Sequence, residues 1–161
     1  ILQSISPAET AFGYSYWSYM IPPLKPESVL ILGAGQGTIE KLIKKVWGDD
    51  IDITSVDIKI PATFIEDAQE YVKTHKGRYD YVVVDIYDGA IIPDFVFSEE
   101  FVLDLVRITG KLLSINILED MGKKYDLTYY DKYFDFDLVK TFLDNKIYFF
   151  KAIENDEVYF L

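Results

Sequence analysis

Residues 28–57 read SVLILGAGQGTIEKLIKKVWGDDIDITSVD, and this stretch predicts the fold. Its apolar run 29–32 is typical of a buried parallel strand and leads directly into three glycines. Helically spaced apolar residues (Ile39, Leu42, Ile43 and Val46) follow, and then a second strand that ends on an acid. Glycines at a helix N-terminus let a ligand approach the backbone, and an acid on the next strand can accept both hydroxyls of a ribose. The stretch therefore predicts a nucleoside site formed by Gly33, Gly35, Gln36, Gly37, Asp57 and the neighbouring Ile58.

The spacing of the glycines separates two classes of nucleotide-binding protein. A dinucleotide-binding loop follows G-x-G-x-x-G, whereas this loop is G-x-G-x-G, with Thr38 where the dinucleotide pattern has its third glycine. The observed spacing resembles that of S-adenosylmethionine (SAM) transferases with the class I methyltransferase fold. A dinucleotide domain, or a glycine turn without a ligand, stays open as the alternative.

The composition narrows the class of protein. The chain has 161 residues, of which 50% are hydrophobic, and this suits one domain with a full core. No apolar run approaches the roughly 20 residues of a membrane span and no signal-peptide pattern opens the chain, so we expect a cytoplasmic protein without a membrane partner. Cysteine is absent and the single histidine, His75, is expected to be a solvated surface residue. A metal site or a Ser-His-Asp site is therefore not expected.

The charge argues against a nucleic-acid partner. The formal net charge is −11, and the only arginines are Arg78 and Arg107. Proteins that bind phosphates collect Lys and Arg on one face, which this composition disfavours. The electric field of a negatively charged protein attracts cationic small molecules, which favours such a ligand. The alternative is that the acidic residues only keep the protein soluble.

Strands and helices alternate along the chain. We expect a helix at 38–47 closed by Gly48, a short strand at 63–65, a helix near 67–75, and a central strand at 81–84 that ends at Asp85. Further on we expect a helix capped by Ser98 and ended by Gly110, a strand at 112–117, a helix with Phe134, Leu138, Val139 and Phe142, and a hairpin of 147–153 with 158–161.

This order of elements predicts an α/β protein with a Rossmann-like fold. The sheet is expected to be mostly parallel, with helices on both faces and an antiparallel hairpin at the C-terminal end. We assign residues 1–161 to one domain, comprising an aromatic lead-in (1–28), a nucleoside-binding core (29–118) and a C-terminal helix and hairpin (119–161). The lead-in aromatics either pack on the sheet or cover the ligand pocket; they are Phe12, Tyr14, Tyr16, Trp17 and Tyr19.

Acidic residues follow several of the predicted strands. In an open parallel sheet, ligands bind beyond the carboxyl ends of the strands, where Asp57, Glu66-Asp67, Asp85 and Asp88 are expected. Like charges in one crevice raise one another's pKa and cost stability unless a cation compensates. A sulfonium cofactor and an amine substrate would supply such cations.

Three motifs resemble those of the spermidine synthase family, the polyamine aminopropyltransferases. They are FIEDA at 64–68, YDYVVVDIYD at 79–88 and FSEEF at 97–101. In that family a G-D-A step, a Y-D-x-I-x-x-D-S-S-D strand end and an L-F-S-x-E-F helix start occur in the same order. The resemblance covers roughly residues 28–118. It implies the class I SAM-methyltransferase fold, SAM or decarboxylated SAM as cofactor without a metal, and a small-molecule amine as acceptor.

The resemblance also implies roles for individual acids. Asp57 takes the place of the ribose-binding acid, and Asp67, followed by Ala68, that of the acid that contacts the adenine amino group. Asp85 and Asp88 match the two catalytic acids that face the reacting amine; Asp88 is expected to be the base that takes the proton of the amine, and Asp85 to border both cofactor and acceptor. A carboxylate can bind an ammonium and take its proton as the alkyl group arrives. The structural alternative is that Asp85 caps a turn and Asp88-Gly89 is a turn dipeptide.

The chain also departs from the family pattern. Gln36 stands where the family's G-G-G-D-G-G loop has an acid that faces the amine end of decarboxylated SAM. We also expect the chain to lack the family's N-terminal β-domain. The sequence thus predicts a SAM-type alkyl transferase, with methyl and aminopropyl transfer both open. The alternative is a non-catalytic module that keeps the nucleoside site, and a homo-oligomer is left open as well.

Overall fold

The computed structural model describes residues 16–33, 35, 37–58, 62–119 and 124–153. Two short 3-10 helices lie at Tyr16–Met20 and Asp94–Phe97. The α-helices are α1 (Thr38–Trp47), α2 (Ala68–Thr74), α3 (Glu99–Ile108) and α4 (Thr128–Tyr133). The strands are β1 (Ser28–Leu32), β2 (Asp52–Asp57), β3 (Phe64–Ile65), β4 (Tyr79–Val84), β5 (Thr109–Leu118), β6 (Asp135–Phe142) and β7 (Asn145–Lys151).

The strands of the described residues form one sheet in the order β3-β2-β1-β4-β5-β7-β6. Strands β1 to β5 pair in parallel, whereas β7 runs antiparallel to both of its neighbours. β4 is the middle strand, as its run of β-branched residues predicts. The predicted Rossmann-like sheet with an antiparallel C-terminal pair is confirmed.

Both faces of the sheet are covered by helices. Alternate side chains of β1 point to opposite faces, so Val29 and Ile31 join a cluster with α1 and the first 3-10 helix, while Leu30 and Leu32 join one with α2, α3 and α4. In α1 the predicted inward positions are buried except for Val46, which is 44% exposed. In the last turn of α1, the ring of Trp47 packs on the cluster in place of Val46. Trp47 Nε1 also donates a hydrogen bond to the Pro22 carbonyl.

The glycine expected to end α3 has a different role. α3 begins after Ser98, whose hydroxyl caps it as predicted, but it ends at Ile108, and Gly110 lies within β5. A Cβ at Gly110 would stand 3.1 Å from the Tyr79 carbonyl oxygen. The glycine therefore permits the close approach of β5 to β4 and does not stop the helix.

The helix predicted around Phe134 to Phe142 is wrong, because residues 135–142 form strand β6. The same apolar residues fit a strand once β7 is available as an antiparallel partner. In the hairpin prediction, 147–153 overlaps β7, but β7 pairs with the preceding β6 through the turn Leu143-Asp144, and 158–161 lie outside the described residues.

His75 is half-buried, contrary to the expectation of a solvated residue. Its ring stacks between Tyr71 and Tyr79, at centroid distances of 5.2 and 5.1 Å. Burial, and then the charge of Arg107, lower the pKa of His75. Tyr71 lies one helical turn before His75, whereas Tyr79 reaches it from the start of β4.

Within the ranges described, no helix has the length and hydrophobicity needed to cross a membrane.

Candidate nucleoside and acceptor site

The glycine loop after β1 is fastened between the two neighbouring strands. Gly33 N donates to the Val56 carbonyl of β2 at 2.8 Å, and Asp85 N donates to the Leu32 carbonyl at 2.9 Å. Gly33 has φ +87°, and a Cβ there would lie 2.1 Å from the Asp85 carbonyl oxygen. Only glycine fits this position, because both the backbone angle and the space exclude a side chain.

Gly37 also has a left-handed backbone conformation, but the space beside it is free. It precedes the first residue of α1 with φ +81°, and a Cβ there would meet no atom within 4 Å. The space beside Gly37 is therefore open, which suits the close approach of a ligand. Ala34 and Gln36 lie outside the described residues.

Asp57 joins the glycine loop to the end of β2, as the sequence predicts. Its Oδ2 accepts a hydrogen bond from Gly35 N at 3.0 Å. Asp57 is therefore beside the loop on the adjacent strand, the position required of a ribose-binding acid. The neighbouring Ile58 is 68% exposed.

Asp67 is the N-cap of α2. Its Oδ1 accepts from Gln69 N at 2.8 Å, and the side chain lies at the surface, while Ala68 is buried beneath it. This cap explains why the helix begins at residue 68. Contact with an adenine amino group stays a prediction for this residue.

Asp85 is a buried carboxylate at the carboxyl end of β4. Its side chain is enclosed, leaving the residue 8% exposed. Oδ2 accepts from the Tyr16 hydroxyl at 2.9 Å and Oδ1 from Asn116 Nδ2 at 3.1 Å. Burial raises the pKa of Asp85 to about 7, against the opposing effect of these two donors, and the nearby charge of Asp57 adds to the rise. Asp85 can therefore both accept and hold a proton at neutral pH.

Asp88 lies in a different environment from Asp85. It is exposed and opens a turn in which Asp88 N donates to the Ile91 carbonyl at 2.8 Å, with Gly89 at φ +65°. The turn dipeptide weighed for Asp88-Gly89 is thus present in the backbone. The structure places one predicted acid in the core and the other at the surface.

Two residues around Asp85 were not predicted as site residues. Asn116 is a polar residue within the apolar strand β5, which was a usable signal, and Tyr16 belongs to the lead-in aromatics. Of the two roles weighed for the lead-in, packing is confirmed for Trp17, which is buried in the core, while Tyr16 reaches Asp85 and covering of the ligand stays a prediction. Phe12 and Tyr14 lie outside the described residues.

Tyr87, between the two acids, has a structural role. Its hydroxyl donates to the Asn116 carbonyl and accepts from Leu118 N, both at 2.9 Å. These bonds fasten the segment after β4 to the end of β5. As for metals, the described part of the chain contains no group of three or more His, Cys, Asp or Glu able to hold an ion.

Comparison with curated proteins supports the resemblance seen in the motifs. No family model matches the sequence. The chain is 27% identical over 109 residues to the polyamine aminopropyltransferase of Vibrio vulnificus. The match covers 56% of this chain and 35% of that enzyme, so the chain matches about a third of the length of its curated relative.

Solved structures share the fold. A probable spermidine synthase from Corynebacterium glutamicum superposes with a TM-score of 0.66 at 16% identity, covering 92% of this chain and 67% of that one. A putative methyltransferase from Escherichia coli gives 0.58 at 11% identity, covering 80% and 78%. A magnesium protoporphyrin IX methyltransferase from Synechocystis, solved with bound SAM, gives 0.52 at 12% identity, covering 78% and 69%. The chain therefore has the Rossmann-like fold of the SAM-dependent methyltransferases and spermidine synthases, and in sequence it resembles the polyamine aminopropyltransferases.

Proposed function

We propose that the protein is a SAM-type alkyl transferase that uses SAM or decarboxylated SAM and alkylates an amine-bearing, cationic small molecule. The observation that carries this proposal is Asp85, a buried carboxylate beside the glycine loop with its pKa raised to about 7. Perturbed carboxylates of this kind concentrate at functional sites. The relatives named above support the choice of cofactor.

The chemistry needs few protein groups. The electrophile is a carbon bonded to positive sulfur, so alignment of the attacking nitrogen supplies much of the catalysis. The amine nitrogen forms a bond to that carbon, the carbon–sulfur bond breaks, and sulfur keeps the electron pair as a neutral thioether. Because the ordinary pKa of the amine is about 10.4, it is an ammonium at neutral pH and gives a proton to a carboxylate before its nitrogen has the electron pair for this attack.

We assign the proton to Asp85, and not to Asp88 as expected from the sequence, because burial raises the pKa of Asp85 to about 7, near neutral pH. Asp88 is exposed three residues further on and is assigned to holding the positive charge of the acceptor. A negative net charge of −11 favours the approach of such a cation.

A non-catalytic nucleoside-binding module is the second candidate. The observation that favours it is that both oxygens of Asp85 already accept hydrogen bonds, from Tyr16 and Asn116. Calorimetric titration with SAM, decarboxylated SAM, methylthioadenosine and NAD, followed by a screen of small amines for alkylation, separates the two. Alkylation of any amine supports the transferase. Tight nucleoside binding without alkylation supports the module, and preferential binding of NAD contradicts both.

Asp57→Ala is expected to weaken nucleoside binding by about 1–3 kcal/mol, because the ribose hydroxyls lose a charged hydrogen-bond acceptor. Calorimetric titration with SAM or methylthioadenosine measures the change. Asp52→Ala is the matched control, since Asp52 is an exposed aspartate at the opposite end of β2. Equal affinity of the Asp57 variant and the parent would mean that the pocket lies elsewhere.

Gln36→Asp is expected to shift binding toward decarboxylated SAM. An acid repels the carboxylate of SAM and attracts the amine end of the decarboxylated form, whereas the amide of Gln36 does neither strongly. The parent should therefore bind SAM at least as well as decarboxylated SAM in side-by-side titrations. Gln36→Asn controls for side-chain length without charge. A strong preference of the parent for decarboxylated SAM would contradict this prediction and favour aminopropyl transfer.

A further inference from the structure

Two asparagines form a hydrogen-bonded relay behind Asp85. Asn145, the first residue of β7, donates from Nδ2 to Asn116 Oδ1 at 3.0 Å. Asn116, near the carboxyl end of β5 and 2% exposed, donates from its own Nδ2 to Asp85 Oδ1 at 3.1 Å. The relay thus connects the β6–β7 hairpin to the carboxylate at the end of β4.

The relay has a direction. A side-chain amide accepts only at its oxygen and donates only at its nitrogen. Because Asn145 donates to the oxygen of Asn116, the nitrogen of Asn116 is the end that faces Asp85. If the Asn116 amide turned over, its oxygen would face a carboxylate oxygen, and that contact is favourable only when Asp85 carries a proton.

We infer that Asn145 is a positioning residue, which holds the Asn116 amide in the orientation that donates to Asp85 and so favours the ionised carboxylate. Asn145 does not touch Asp85 in this arrangement and acts through Asn116. The inference rests on the proposed function only where it gives Asp85 a part in proton transfer, since the relay itself is independent of any reaction.

Among the groups around Asp85, Asn116 is the hydrogen-bond donor whose orientation can change. Tyr16, from the first 3-10 helix, donates to the second oxygen. Asp57, from the end of β2, opposes ionisation by its charge. Tyr87, following β4, uses its hydroxyl on the Asn116 carbonyl and Leu118 N.

The hairpin turn fixes the position of Asn145. Leu143 adopts φ +53°, which leucine rarely does, and the Asp144 carbonyl accepts from Glu119 N at 3.0 Å. The turn is therefore attached to the residue that follows β5, the strand that carries Asn116. The turn that positions Asn145 thus holds Leu143 in a backbone conformation that is unfavourable for leucine.

Carbon-13 NMR titration of the aspartate carboxyl groups tests the inference, with Asp85→Asn identifying the resonance of Asp85. Asn145→Asp replaces the donor by an acceptor, and Asn145→Leu removes it at similar size. Both variants should raise the pKa of Asp85, by about one to two pH units for the aspartate, in line with the loss of one hydrogen bond to a charged group. The leucine variant should give a smaller rise.

Asp144→Asn is the matched control for charge, because it alters one exposed charge at the adjacent residue without touching the relay. It should leave the Asp85 titration nearly unchanged. An unchanged titration in both Asn145 variants overturns the inference, and so does a rise in the aspartate variant alone, which charge by itself would explain. Because the titration needs no substrate, a shifted pKa combined with no amine alkylation would support the relay and reject the transferase.

Discussion

Asp85→Asn is expected to lower turnover by about 10²–10⁴-fold, the usual cost of losing a general base. The variant keeps the size and one hydrogen-bonding oxygen of the side chain but cannot take the proton of the acceptor amine. The pH profile gives a second readout. With the pKa of Asp85 raised to about 7, the parent should lose activity as the pH falls below that value and reach a plateau above it. The variant should lack this inflection.

Asp88→Asn is the matched comparison for this prediction. Asp88 is exposed, so its loss should weaken acceptor binding while nucleoside affinity changes little. Asp85→Asn should change both turnover and nucleoside affinity, because Asp85 adjoins the glycine loop. Initial rates with an alkylated amine and calorimetric titrations of both variants measure these effects. Full turnover in Asp85→Asn would place the base on another group.

Gly33→Ala is expected to be the most destabilising substitution in the glycine loop. Its Cβ would lie 2.1 Å from the backbone oxygen of Asp85, so the loop or β4 must move, and φ +87° adds strain. We expect a loss of about 3 kcal/mol or more in the free energy of unfolding, measured by urea denaturation.

Gly37→Ala distinguishes the cost of a strained backbone angle from the cost of a steric clash. Gly37 has a similar φ of +81°, but its Cβ would meet nothing within 4 Å. The expected loss is therefore only about 1–2 kcal/mol, the cost of a left-handed conformation for alanine. Equal losses in the two variants would show that the loop moves aside at Gly33 without cost.

Local sequence determined the first five strands and their helices. Each of these elements has a signal within its own residues, such as the apolar run 29–32, the β-branched run before Asp85, or the cap Ser98. The placement of the glycine loop beside Asp57 was predictable for the same reason. Parallel strands place their carboxyl ends at one edge, so the glycine loop and Asp57 had to be neighbours.

Tertiary structure decided what local spacing leaves ambiguous. Residues 135–142 satisfy a helical pattern, yet pairing with β7 makes them a strand, because a partner strand outweighs a weak local preference. Gly110 looked like a helix stop, but its absent Cβ matters only because β4 lies against it.

Which of the two acids of the DIYD segment is buried also came only from the fold. In sequence, Asp85 and Asp88 are equivalent carboxylates three residues apart. Burial raises the pKa of Asp85 to about 7, although Tyr16 and Asn116 donate hydrogen bonds to its carboxylate. Asp88, by contrast, lies in a turn that leaves it in solvent. Tyr16 is 69 residues away along the chain and Asn116 is 31 away, so no local pattern connects them to Asp85. The sequence by itself determined which strand ends bear the acids, and the three-dimensional packing determined which acid is desolvated, because desolvation depends on neighbours from distant parts of the chain.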